Sequence, residues 1–326
     1  MRELKMVDKN RKHQMRASHE DLIAAKITPN TSQTRAPAYR LAFDDSEFLC
    51  RDDLRPIRLQ LEMLKPEIIL EEQGVKSTIV LFGGARIPDP EKSEKSITDG
   101  PNNLSKYYME ARQFAEKITL QSDGCQNVIV TGGGPGVMEA GNRGAHDAGG
   151  RSIGLNIVLP NEQAPNSYVT PELCFNFHYF ALRKMHFLMR ANAICVFPGG
   201  FGTLDEMFES LTLIQTGRMA PVPFLLFGEA FWRSIVNWES LVDFGTITAE
   251  DLALIKFVET ADEALAEIKK WESLSELCEY LKDVISHVSG ESVVIKLNTP
   301  ISATLFTGSE EEEKKTMLLM PVRLNS

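Results

Sequence analysis

The chain has few cysteines and none in a pattern that binds metal or forms a disulfide framework. Cys50, Cys125, Cys174, Cys195 and Cys278 are scattered over 326 residues. No pair has CxxC spacing, so no zinc site and no disulfide scaffold is expected, and reduced thiols in a cytoplasm fit best. No apolar run reaches transmembrane length and no secretory h-region follows Met1, so no membrane association is expected. The basic start (Arg2, Lys5, Lys9, Arg11, Lys12) runs into polar residues and reads as a solvated helix or tail. Basic residues are outnumbered 35 to 45, a formal charge of −10. A nucleic-acid backbone needs basic patches, so nucleic acid is not the expected partner. A single nucleotide needs only one local positive pocket and stays open. Nothing calls for a metal or another cofactor.

What the chain does have is 43% hydrophobic and 25% charged residues, the balance of a globular protein. From residue 77, short runs rich in β-branched residues recur at 78–82, 127–131, 152–157, 193–197, 223–227 and 255–258. Helical patterns lie between them, at about 104–121, 136–148, 180–191, 203–216, 231–244 and 261–282. Continuously apolar strands alternating with helices imply an α/β fold, a Rossmann-like doubly wound parallel sheet covered on both faces. The expected organisation is an N-terminal extension over 1–72, a nucleotide-binding catalytic domain over 73–282 and a C-terminal extension over 283–326. Within the first, 54–70 has helical apolar spacing interrupted by Pro56 and Pro66. The acidic run 310–313, followed by Lys314 and Lys315, reads as solvated surface.

Three of the strand ends carry glycine: Gly83-Gly84, Gly132-Gly133-Gly134 and Gly199-Gly200. In doubly wound sheets ligands bind beyond the carboxyl ends of strands, so the three turns point to a shared pocket. Gly132-Gly133-Gly134-Pro135-Gly136 does not have GxGxxG spacing. No acid ends the next strand, where Asn156 stands, and no GK[ST] follows, so neither a dinucleotide fingerprint nor a P-loop is present. It is either a tight strand-to-helix turn or a ligand-facing wall. The small residues after it (Ala140, Gly141, Gly144, Ala145, Ala148) allow close helix packing.

The stretch Pro198-Gly199-Gly200-Phe201-Gly202-Thr203-Leu204-Asp205-Glu206 is more specific. A glycine turn opening a helix presents free N–H groups at the positive end of the helix dipole, an anion site. Thr203 is placed to cap that helix and to reach a phosphate oxygen. Glu206 has two readings: the far member of a Thr203–Glu206 capping box, or an acid one turn from a bound phosphate. Upstream, Arg183, His186 and Arg190 fall on one helix face at i, i+3 and i+7. They make either a surface basic face or donors lining a cleft. The polar loop 156–166, containing Glu162, follows a strand and is a candidate substrate wall.

Arg183-Lys184 followed by the complete Pro198–Glu206 stretch, PGGxGTxxE, resembles the LOG (Lonely Guy) family, cytokinin riboside 5′-monophosphate phosphoribohydrolases long misnamed "lysine decarboxylases". The GGGPGVMEA stretch at 132–140 and the NIVLPNEQAPN loop resemble its bacterial branch, which includes AMP nucleosidases. The resemblance covers about residues 77–270. Gly84 departs from it, standing where many relatives have serine. The resemblance implies hydrolysis of a nucleoside 5′-monophosphate to free base and ribose 5-phosphate. It places the catalytic pair on Arg183 and Glu206, and substrate contacts on Glu162, Lys184, Gly199, Gly200, Gly202, Thr203, Asp205 and Thr212, beside the glycine wall of Gly132, Gly133 and Gly134. It also implies a homodimer or larger homo-oligomer. The alternative is a non-catalytic nucleotide carrier of the same fold.

Overall fold

Seven short strands, each dominated by apolar residues, assemble into one parallel sheet. They are β1 (Thr78–Phe82), β2 (Val128–Thr131), β3 (Ser152–Ile157), β4 (Cys174–Phe177), β5 (Ala191–Val196), β6 (Phe224–Phe227) and β7 (Lys256–Val258), in the order β4-β3-β2-β1-β5-β6-β7. The computed structural model describes residues 17–92, 103–159, 164–289, 294–298 and 302–306, with side chains described as far as 277. The basic start, Glu162 and the 310–313 run lie outside the described residues.

Strand side chains alternate between faces, and both faces are buried. Ile79, Leu81, Ala193, Cys195, Phe197, Leu225 and Phe227 enter one core. Val80, Phe82, Ile194, Val196, Phe224 and Leu226 enter the other.

Eleven α-helices are described: α1 (Ser18–Lys26), α2 (Ser46–Leu49), α3 (Arg55–Glu72), α4 (Lys106–Gln121), α5 (Val137–Asp147), α6 (Phe180–Leu188), α7 (Phe201–Gln215), α8 (Glu229–Ile235), α9 (Trp238–Asp243), α10 (Ala249–Leu252) and α11 (Ala261–Ser289). Helices α4, α5 and α11 contribute to the first core. The end of α3 and helices α6 to α9 contribute to the second. The small face of α5 lets it lie close to its neighbours: a Cβ on Gly144 would run into the Arg112 carbonyl and the Ala115 methyl of α4. A hairpin of β8 (Val294–Asn298) and β9 (Ser302–Phe306) follows α11. The described residues form two compact units that divide between Leu61 and Glu62.

The expected alternation is present, and the departures have local causes. Asn127 has φ 52, a left-handed conformation that cannot extend a strand, so β2 begins at Val128. The expected single helix over 231–244 is two, because Asn237 accepts a hydrogen bond from the Ser240 N–H (3.2 Å) and caps a new helix. Helix α3 runs unbroken through Pro66. The edge strand β4 was not expected, and α11 continues seven residues past 282. No helix among the described residues is long and apolar enough to cross a membrane.

Chain order reverses between β1 and β5. The chain runs outward from β1 through β2, β3 and β4, then returns to place β5 on the other side of β1. A crevice opens at such a reversal, and the glycine turns are gathered there. The Gly84 N–H donates to the Pro198 carbonyl (2.9 Å), and the Gly84 carbonyl accepts from the Val137 N–H (3.3 Å). Gly84 thus joins the turns after β1, β2 and β5. Gly136 (φ 71) must be glycine, since a Cβ there would strike the Gly84 carbonyl.

Candidate active site

Beyond these strand ends lies a cleft of about 1040 Å³. Gly83 to Pro88 line it after β1, Gly132 and Met138 after β2, Ile157 and Leu159 at β3, Phe180, Arg183 and Phe187 on α6, and Pro198 to Glu206 after β5. Asn103, Leu104, Phe231 and Ile235 complete the wall.

The turn after β5 forms the anion-ready part. Helix α7 begins at Phe201 with Gly200 as its N-cap and no side-chain cap. The first intrahelical bond is from the Leu204 N–H to the Gly200 carbonyl (3.0 Å). The N–H groups of Phe201, Gly202 and Thr203 precede it and have no partner within the helix. Of the two readings of Glu206, the capping box is therefore not realised. Thr203 sits inside the first turn, and its buried side chain packs on Gly199, where a Cβ would collide with it. At Gly200 and Gly202, by contrast, a Cβ would meet nothing within 4 Å, and neither has positive φ. Packing does not require glycine at these two positions, and the turn is left open to the cleft. Phe201 between them is 93% exposed.

Released from capping, Glu206 turns into the cleft while only 8% exposed. Burial raises its carboxyl from the ordinary 4.5 to about 7, overriding the lowering effect of Arg183 and Lys184; Asp205 and Glu209 add to the rise. The Arg183 guanidinium faces it, with Nη1 3.8 Å from Oε1, a Coulombic separation rather than a hydrogen bond. That guanidinium is held from several sides. Its Nε–H donates to the Leu155 carbonyl (2.7 Å), its plane lies 5.2 Å from the Phe187 ring centroid, and Gly132 leaves room for Nη2. Gly132 thus has a definite function: a Cβ there would displace the arginine.

The other expected site residues are placed differently. Lys184 ties two helices together, pairing with Asp205 (2.8 Å) and Glu209 (2.6 Å) of α7. Burial works against its charge, but these carboxylates prevail and raise its pKa. Asp205 lines the cleft with its carboxylate held by Lys184. Gly133 and Gly134 do not line the cleft. Asn166 binds their carbonyls (3.1 and 3.0 Å), and Asn156 fills the space beside Gly133. Thr212 is exposed outside the cleft, with its hydroxyl donating to the Phe208 carbonyl (2.7 Å). The face expected for Arg183, His186 and Arg190 is not shared by all three: Arg183 lines the cleft, whereas His186 and Arg190, the latter beyond the end of α6 at Leu188, both meet Glu67. His186 is buried and Arg190 pairs with Glu67.

Sequence reasoning missed Arg86, exposed on the rim, and Asn103, both lining the cleft. Arg86 follows the Gly83-Gly84 turn directly, so the strand-end logic applied to the other two turns would have found it. Asn103 had no local signal.

Residues 138–268 match a family model described as "Possible lysine decarboxylase". Two similar proteins from Arabidopsis thaliana are both named cytokinin riboside 5′-monophosphate phosphoribohydrolase. LOG7 is 25% identical over 175 residues, 51% of this chain and 79% of the relative. LOG4 is 24% identical over 153 residues, 46% and 70% of the two. Among solved structures, the molybdenum cofactor binding protein from Rippkaea orientalis aligns over 60% of this chain and 96% of that one, at 21% identity and a TM-score of 0.40. The Moco carrier protein from Chlamydomonas reinhardtii aligns over 61% and 98%, at 19% identity and 0.38. Both of these likenesses are distant. The resemblance to the LOG family carried by Arg183-Lys184 and the Pro198–Glu206 stretch is thus borne out by the family model and by the named relatives.

Proposed function

We propose that this protein hydrolyses the N-glycosidic bond of a purine nucleoside 5′-monophosphate, AMP or an N6-substituted relative, to free base and ribose 5-phosphate. The observation that carries this reading is a buried carboxyl at about 7, paired with a fixed guanidinium, one turn from an open glycine-rich helix N-terminus. The phosphate docks on the N–H groups of residues 201–203 and the Thr203 hydroxyl. This anchoring sets the ribose beside Glu206. Breaking the C1′–N bond leaves positive charge on the sugar, as in glycoside hydrolysis. The Glu206 carboxylate opposes that charge or takes a proton from the attacking water. Water supplies hydroxyl to C1′, the departing base takes up a proton, and Arg183 stabilises the base as it leaves. The chain acts in the cytoplasm as a homodimer or larger assembly of itself.

Incubation with AMP, with adenine and ribose 5-phosphate separated chromatographically, tests the reading. Release of both is the expected result. Saturable AMP binding with no adenine released would replace the hydrolase with a carrier. The glycine turn gives a second expectation. Gly202→Ala has room for its methyl and replaces a poor helix former, so its Tm should hold or rise. The methyl obstructs phosphate approach, and KM for AMP should increase about 10- to 100-fold, the worth of a charge-assisted hydrogen bond. A Gly202→Ala enzyme with wild-type KM would remove the phosphate from this turn.

A further inference from the structure

The chain enters the helix bearing Arg183 through His178 and Tyr179; Tyr179, at the N-cap, makes no side-chain cap bond. Glu62 on α3 holds the backbone N–H of both. Its Oε1 accepts from the His178 N–H (2.8 Å) and its Oε2 from the Tyr179 N–H (3.1 Å). A carboxylate at this position also opposes the positive end of the helix dipole.

The same residue grips α6 one turn further on. Pro66 has no N–H to offer the Glu62 carbonyl, and the buried His186 takes that place, its Nε2–H donating to the Glu62 oxygen (3.1 Å). Glu67 then holds the far end, with one carboxylate oxygen on Arg190 Nη1, the other on Nη2 (3.1 Å), and His186 Nδ1 3.5 Å from Oε1. Helix α6 is thus held just before its first turn, within its length and just past its end by Glu62 and Glu67, both outside the segment that matches the family model. Between the first two grips lies Arg183, whose N–H bonds the Tyr179 carbonyl (3.3 Å) in the first turn of α6.

We propose that Glu62 is a positioning residue for Arg183: by holding the backbone of the two residues that lead into α6, it sets the distance between the guanidinium and Glu206. The activity readout rests on the hydrolase reading; the titration readout does not. The charges facing Glu206 are Arg183 and Lys184 from α6 and Asp205 and Glu209 from its own helix, with Arg86 on the same cleft. Letting Arg183 recede leaves the carboxyl more easily protonated.

The test follows the Glu206 carboxyl by 13C NMR in the full-length protein, its resonance assigned by its loss in Glu206→Gln. Glu62→Ala should move the titration midpoint upward by about half a pH unit or more. Glu62→Gln, which keeps one acceptor oxygen, should move it less, and this variant decides the matter if the alanine protein does not fold. Glu67→Gln loosens the same helix pair away from Arg183 and should leave the midpoint in place. In turnover, Glu62→Ala should lower kcat about tenfold with KM nearly unchanged, since misplacement rather than lost binding is the cause. An unmoved midpoint in both Glu62 variants, or an equal shift in Glu67→Gln, would overturn the proposal. A wild-type protein that releases no base removes the hydrolase reading while the titration still decides the positioning role.

Discussion

Glu206→Gln should abolish turnover and at the same time make the protein more stable above neutral pH. The loss of activity follows from the chemistry: glutamine carries no charge to oppose the developing cation and accepts no proton from water. The expected fall in kcat is about 10²- to 10⁴-fold. The gain in stability follows from the raised pKa. A carboxyl that titrates at about 7 when folded and near 4.5 when unfolded binds its proton more tightly in the folded state. Its effect on stability therefore becomes less favourable as pH rises from about 4.5 to about 7 and is constant above that. The displacement corresponds to at most about 3 kcal/mol. Glutamine removes this penalty but takes a counter-charge from Arg183, so the net gain is smaller. Denaturation in urea at pH 5 and pH 8 checks it: the variant should gain on the wild type between the two. Equal stability at both values would place the carboxyl in a wetter setting than the cleft floor. In the wild type, kcat should rise with pH through a limb near 7 as the carboxylate forms.

Arg183→Met should be nearly as damaging, and for two reasons that act together. The variant loses the donor for the leaving base. It also loses the charge that holds the Glu206 pKa down, so less carboxylate remains at neutral pH. A loss in kcat/KM of about 10²- to 10³-fold is expected, comparable to removal of one preorganised donor. Unlike Glu206→Gln, this change should destabilise the fold. The part-buried Leu155 carbonyl loses its 2.7 Å donor, at about 1–3 kcal/mol. The pair therefore predicts opposite movements in Tm at pH 8, and a thermal melt of the two variants side by side checks this. Arg183→Lys restores charge without the planar fork and should recover only part of the activity.

The sheet and its reversal were legible because β-branched runs ending in glycine leave a strong signal at three places. That Arg183 and Glu206 meet in the cleft was legible for a related reason: a glycine turn before a helix, and an arginine two elements earlier, are local patterns. Side-chain direction was not. Gly132, Gly133 and Gly134 are equivalent in the sequence, yet only Gly132 lines the cleft, because Asn156 and Asn166 occupy the space around the other two. Lys184 adjoins Arg183 but turns to Asp205 and Glu209, as successive helix residues diverge by about 100°. The Thr203–Glu206 capping box was a sound local reading defeated by the glycines ahead of it, which move the N-cap three residues back, from Thr203 to Gly200. Strand β4 escaped because Cys174-Phe175-Asn176-Phe177 is only four residues long and carries a polar one. The clamp from α3 had no sequence signal, since it depends on a carbonyl exposed by Pro66 and a helix more than 100 residues away.

The bond between Gly84 and Pro198 bears on how the molecule comes to have a site at all. These two residues are distant in sequence, and β5 must lodge against β1 before they meet. Closing so long a loop costs entropy that only the finished sheet recovers. A nascent chain that has released β1 through β4 owns the glycine turns of the first half but not the turn proposed to hold the phosphate, so on that reading nucleotide does not serve as an early template for folding. Ligand should instead act late, drawing the completed state out of equilibrium with incomplete ones, and its retention by truncated chains should appear abruptly once the start of α7 is included.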